Sequence, residues 1–284
     1  MMSGHMQLTL GHSPDPDDAF MFFALAQHRI PMGNYEFTHI LQDIQTLNER
    51  AIRAELDITA VSFHASAYVL DNYAILRCGA SMGDNYGPML VAKQGYTRDD
   101  MYSARIAIPG RMTSAFLALQ MYLGVKAEEL NLITVPFDEI FDALDAGTAD
   151  VGLIIHEGQL TYQDSGFVLC EDLGRWWYSH TGGLPLPLGC NVIRKSLGEK
   201  VIAEISDILH ESIKYGLVHR AEGVAHALPL GRGLDSQRAD EFIGMYVNDL
   251  TVDYGDRGRR AVEEFMKQAH EQGLIPAPRE LQFV

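Results

Sequence analysis

Cysteine is scarce. The three present, Cys78, Cys170 and Cys190, are odd in number and form no Cys-x-x-Cys pair, so they offer neither a disulfide framework nor a thiolate zinc site. No apolar run approaches the roughly 20 residues that span a bilayer. Residues 1–6 lack the basic-then-apolar order of a secretory signal; Gly4-His5-Met6 reads as an expression scar, and the fold is expected to start at Met6. Basic residues are few as well: 22 Lys plus Arg face 38 Asp plus Glu, a net charge of −16, with no basic stripe. Phosphate-rich partners are therefore excluded, nucleic acid and anionic membrane surfaces alike. No low-complexity tract and no solenoid-length repeat occurs. Together these absences predict a cytoplasmic chain whose partner is a small molecule.

What remains is ample material for a core. The 284 residues are 47% hydrophobic and 21% charged, a globular composition long enough for two lobes. Strand-like and helix-like segments alternate: residues 7–11 strand, 17–28 helix, 35–41 strand, 44–53 helix and 56–62 a buried strand. A second series follows, with strands at 103–108, 132–135 and 151–155 and helices at 113–123 and 140–146, and the tail carries amphipathic helices at 199–219, 235–248 and 256–272. Such alternation predicts an α/β fold, each lobe a mostly parallel sheet flanked by helices. Residues 88–95 and 182–191, the latter with a Leu-Pro-Leu-Pro-Leu-Gly core, read as crossings between lobes. Two crossings imply one discontinuous domain, residues 6–92 plus 192–284, and a second lobe at 93–191.

Open α/β sheets bind ligands at the carboxyl ends of their strands, where the following helices direct free N–H groups outward. Four such ends carry suitable groups. Thr113 and Ser114 stand where a helix N-cap prefers a hydroxyl, and the helix start beside them suits a carboxylate without any buried cation; a plain cap is the competing reading. Ser62 ends the apolar strand containing Ala60 and Val61, either facing a ligand or bonded to its own backbone. His156 follows the apolar run Val151-Gly152-Leu153-Ile154-Ile155. At a strand end, partial desolvation would keep its imidazole neutral and ready to accept a proton, while a structural role is the alternative.

The fourth end is Gly11-His12-Ser13-Pro14-Asp15-Pro16-Asp17-Asp18. A hydrolase elbow would need glycine where Asp15 stands. A calcium loop would need glycine at Phe20 and glutamate at Ala26. The favoured reading has Asp17 or Asp18 capping the helix while Ser13 faces the ligand. Trp176-Trp177-Tyr178 reads as a core anchor before a ring-binding cluster, and His12 and His64 as structural.

The blocks Ser13-Pro14-Asp15-Pro16-Asp17-Asp18, Ala60-Val61-Ser62-Phe63-His64, Pro109-Gly110-Arg111-Met112-Thr113-Ser114, His156-Glu157-Gly158-Gln159 and Leu184-Pro185-Leu186-Pro187 occur in an order that resembles the 1,4-dihydroxy-6-naphthoate synthase family of menaquinone biosynthesis, the futalosine route. The resemblance implies a two-lobed fold similar to type II periplasmic binding proteins. It also implies a lyase that cleaves cyclic dehypoxanthine futalosine by carbon–carbon bond breakage, with no metal or organic cofactor. By the same resemblance His156 is the proton acceptor, and Ala60, Val61, Ser62, Thr113 and Ser114 contact the carboxylate substrate, which Ser13 joins on the strand-end reading alone. One block departs: the family commonly has Cys and Asn where this chain has Asp15 and Asp17. The competing readings are a small-anion binding protein, cytosolic or serving a transporter, and a relative of chorismate dehydratase.

Overall fold

The computed structural model describes residues 5–277 and 279–284. The supposed scar lies partly outside the described residues, at Gly4. In chain order the elements are β1 (Met6–His12), α1 (Pro16–Met21), α2 (Phe23–Ala26), β2 (Tyr35–Leu41), α3 (Ile44–Ile52), β3 (Ile58–Ser62), α4 (Phe63–Val69), β4 (Tyr73–Ile75), β5 (Ser81–Gly83) and β6 (Met89–Ala92). They continue with β7 (Arg105–Ile108), α5 (Ser114–Leu123), β8 (Asn131–Thr134), α6 (Ile140–Asp145), β9 (Val151–Ile154), α7 (Gly158–Thr161), β10 (Val168–Asp172), α8 (Leu173–His180) and β11 (Leu186–Arg194). Five helices close the chain: α9 (Glu199–Val218), α10 (Arg220–Ala227), α11 (Ser236–Tyr246), α12 (Asp249–Val252) and α13 (Gly255–Glu271). Among the described residues no helix is long and apolar enough to cross a membrane.

The chain divides into two compact units. One comprises Met1–Ser81, Gly189–Asp256 and Arg279–Val284, the other Met82–Leu188 and Arg257–Pro278. The sheet of the first unit has the order β2-β1-β3-β11-β4. β1 runs parallel to β2 and β3, while β11 runs antiparallel to both β3 and β4. In the second unit the order is β10-β6-β9-β7-β8. β7 is parallel to β8 and β9, and β6 is antiparallel to both β9 and β10. Along each of these orders a single strand therefore runs against the rest.

The central strands are the ones with unbroken apolar sequence. Every residue of β3 and of β9 is buried, as a strand covered on both faces requires. Close packing sets one glycine in each unit: a Cβ at Gly152 would lie 2.5 Å from Ile140 Cγ2, and one at Gly11 would lie 2.6 Å from Leu56 Cδ1. Any side chain there would push the covering helix or loop off the sheet. All ten residues of α5 are buried, and the helix ends on left-handed Gly124, whose N–H donates to Gln120 O at 2.7 Å.

Several expectations change. The helix expected at 17–28 is two short helices that meet at Phe22, where the backbone leaves helical geometry. Residues 88–95, expected as a linker, contain β6, whose four residues pair with β9. That pairing moves residues 82–92 into the second unit. The Leu-Pro-Leu-Pro-Leu stretch is not merely a crossing either, since β11 begins at Leu186.

Residues 257–278 also belong to the second unit rather than the first. Trp177, fully buried, meets Phe265 edge to face at 5.4 Å and donates from Nε1 to Pro185 O at 3.0 Å. Arg257 grips both carboxylate oxygens of Asp84, at 2.7 and 2.5 Å. Burial of that indole and the forked ion pair hold α13 where the sequence alone did not place it.

Candidate active site

At the carboxyl edge of the first sheet, β1 and β3 are parallel neighbours, so the residues that follow them, Ser13 and Ser62, share one edge. Ser62 is held by a side chain absent from the sequence reading. Asn48 Nδ2 donates to Ser62 Oγ at 3.0 Å, and Ser62 N donates back to Asn48 Oδ1 at 2.8 Å. Asn48 is fully buried on α3 between Leu47 and Ala51. The clue was a polar residue on the inward stripe of an amphipathic helix. Ala60 and Val61 sit two places and one place inside the edge, opposite Asn191 and Cys190 of β11. His64 is buried on α4, its ring 6.0 Å from that of Tyr68.

The loop after β1 is organised differently from the expected cap. Asp15, not Asp17 or Asp18, takes the N-cap position, without a side-chain cap bond, because Pro16 opens α1 and proline favours the first helical position. Asp18 Oδ2 instead accepts from Ser13 N at 2.6 Å. Ser13 is buried, and its Oγ has no hydrogen-bond partner among the described residues. Arg232 Nη2 donates to Pro14 O at 3.0 Å. Asp17 is buried with Ser81 Oγ at 3.4 Å, and burial, with the carboxylates of Asp15 and Asp18 beside it, pushes its pKa well above the usual carboxylate range.

At the carboxyl edge of the second sheet, β7 and β9 are likewise parallel neighbours. β7 leads through Pro109 and Gly110 into α5. Thr113 caps that helix, accepting from Phe116 N at 3.1 Å and donating to Gly110 O at 2.9 Å. Ser114 Oγ donates to Leu188 O at 2.6 Å. Thr113 thus fixes the turn itself, and Ser114 ties the helix start to the residue before Gly189. β9 leads to His156, a half-buried residue held at φ +60°. Phe137 meets its ring edge to face, 4.5 Å between centroids, and Gln159 N donates to its carbonyl at 3.1 Å. A left-handed backbone at a non-glycine residue costs on the order of 1–3 kcal/mol and persists only where its surroundings impose it.

The structure thus brings Thr113, Ser114 and His156 to one sheet edge, and Ser13 and Ser62 to another. Of the aromatic cluster, Trp177 is core, while Trp176 stacks on His180 at 5.3 Å.

Comparison with known proteins points the same way. A family model described as menaquinone biosynthesis matches residues 8–271. A 1,4-dihydroxy-6-naphthoate synthase of Thermus thermophilus is 36% identical, over 96% of this chain and 98% of the relative. One from Streptomyces coelicolor is 34% identical, over 95% of both. The crystal structure of an Archaeoglobus fulgidus protein, 40% identical, superposes with a TM-score of 0.89 over 95% of this chain and 98% of that one. The fold extends to distant proteins: a Candida albicans protein with the generic periplasmic binding protein fold is 13% identical, TM-score 0.67, over 97% of this chain and 93% of that one. The chain belongs to the 1,4-dihydroxy-6-naphthoate synthase family of menaquinone-biosynthesis enzymes, built on the periplasmic-binding-protein fold.

Proposed function

We propose that this enzyme cleaves cyclic dehypoxanthine futalosine to 1,4-dihydroxy-6-naphthoate in the cytoplasm, with His156 as the base that starts the reaction. The observation that carries the reading is the left-handed His156 at the end of β9, on the same sheet edge as the start of α5. An imidazole nitrogen accepts a substrate proton, and the electron pair left behind drives carbon–carbon cleavage. The proton then passes to the departing fragment or to water. The N–H groups at the start of α5 take the substrate carboxylate: a helix start offers directed donors and positive potential without a cation. Thr113 and Ser114 hold that start in place.

Ser13, Ala60, Val61 and Ser62 are proposed as further substrate contacts. The unpartnered Ser13 hydroxyl and the rigid Asn48–Ser62 clamp support their role as substrate contacts. The three cysteines are free thiols, in keeping with a reducing compartment.

Replacing His156 by Asn tests the base. Asparagine tolerates left-handed backbone, so the loop keeps its course while the base is lost. Turnover should fall about 10²- to 10⁴-fold, with thermal stability and substrate-induced stabilisation retained. A His156→Asn enzyme working at the wild-type rate would remove His156 from the mechanism.

A further inference from the structure

Behind the Ser13–Asp18 loop lies a histidine pair that the reaction does not use. His12 is the last residue of β1 and buried, and His39 lies on the neighbouring strand β2. His12 Nδ1 is 3.2 Å from Ser13 O, and His12 Nε2 is 3.0 Å from His39 Nδ1. A carbonyl only accepts, so the first contact places a proton on His12 Nδ1. Neutral His12 then has a bare Nε2, which must accept, and so His39 must carry its proton on Nδ1. The two distances fix both tautomers and give the chain of bonds one direction, from His39 through His12 to the Ser13 carbonyl.

We propose that His12 and His39 are positioning residues, a tautomer-locked pair that orients the loop from Ser13 to Asp18 and does so only while His12 is neutral. Pro14 and Pro16 carry no N–H, and ahead of α1 the loop is tied by the His12–Ser13 contact, the Arg232 bond to Pro14 O, the Asp18 bond to Ser13 N and the Ala19 N bond to Asp15 O. A second proton on His12 would place two N–H groups face to face and break the chain unless the His39 ring changed tautomer, whereas one taken up at His39 Nε2 would leave the bond between the rings in place.

The surroundings oppose that second proton. Burial lowers the His12 pKa to about 4, with His39 and His226 acting in the same direction and the Ser13 carbonyl and Asp15 against it. Burial lowers that of His39 too, with His226 and His28 assisting. Phe22 packs its ring 4.9 Å from that of His12 and brings no charge. The consequence for catalysis rests on the loop being a substrate contact, as proposed above, but the pair itself is open to test without any turnover.

The experiment combines nitrogen-15 spectra of the histidine side chains with amide exchange of the loop peptide, in the wild type, His39→Leu and His39→Asn. At neutral pH the wild type should show protons on Nδ1 of both His12 and His39, and His12 should stay neutral down to about pH 5, one unit above its pKa. His39→Leu removes the donor, and exchange in the Ser13–Asp18 segment should quicken about tenfold, the scale of one lost hydrogen bond. His39→Asn keeps an amide N–H near the Nδ1 position and should restore slow exchange. A proton on His12 Nε2, a His12 titrating near pH 6.5, or a Leu variant exchanging like the wild type would each overturn the proposal. Absence of turnover by the wild type would instead strike the proposed reaction and leave these readouts intact.

Discussion

The two carboxyl edges hold their polar groups by opposite means. In the first unit side chains do the holding: Asn48 clamps Ser62, Asp18 catches Ser13 N, and His39 fixes His12. In the second unit hydroxyls bonded to backbone do it, through the Thr113 cap and the Ser114 bond to Leu188 O, with the left-handed turn at His156 beside them. An edge built from side chains depends on protonation states and on complete hydrogen-bond satisfaction. Hydroxyl-to-backbone bonds contain no titratable partner and give way only when the turn does.

Substitutions and pH should separate the two kinds of edge. The largest effect belongs to the second: His156→Asn costs about 10²- to 10⁴-fold in turnover and little in stability. Next comes Asn48→Ala in the first, which leaves Ser62 N buried without its acceptor and removes the donor to Ser62 Oγ. About 3 kcal/mol of unfolding free energy should be lost, measured by urea titration. A loss below 1 kcal/mol would show that Ser62 finds another partner.

Acid should also act on the first edge, through His12. His12 falls from 6.5 to about 4 on folding, so the unfolded chain takes up a proton that the folded chain refuses. Its contribution is complete above pH 6.5 and is lost as pH falls toward 4, on the order of 3 kcal/mol in all. The raised pKa of Asp17 has the opposite sign: its contribution is present below pH 4 and lost as pH rises through the folded value. Asp17→Asn should therefore stabilise the protein, more at pH 7 than at pH 4, and unmask the full acid loss due to His12. A gain that did not grow with pH would contradict the assignment. The smallest effect expected is that of Thr113→Val, about 1 kcal/mol for a lost helix cap, with a weaker affinity for carboxylate ligands.

Much of this was legible in the sequence. The apolar runs of β3 and β9 announced buried strands, and strand-end logic led to Ser62 and His156 directly. Short antiparallel β6 was missed because four apolar residues after Pro88 resemble a linker until β9 pairs with them. Helix α13 was misassigned because its amphipathic stripe says that it packs, not on what; Trp177 and Asp84 decide that. The His12–His39 pair depends on strands β1 and β2 lying side by side, which periodicity does not specify. Asn48 was hidden because a lone polar residue on an apolar stripe gains meaning only when its partner is known.

Incubating the wild-type chain with cyclic dehypoxanthine futalosine and following products by mass spectrometry tests the central claim most directly, with chorismate offered in parallel. The account predicts conversion to 1,4-dihydroxy-6-naphthoate and no change in chorismate. A substrate that stabilises the protein against heat yet is recovered intact, or a chorismate that loses water, would contradict it.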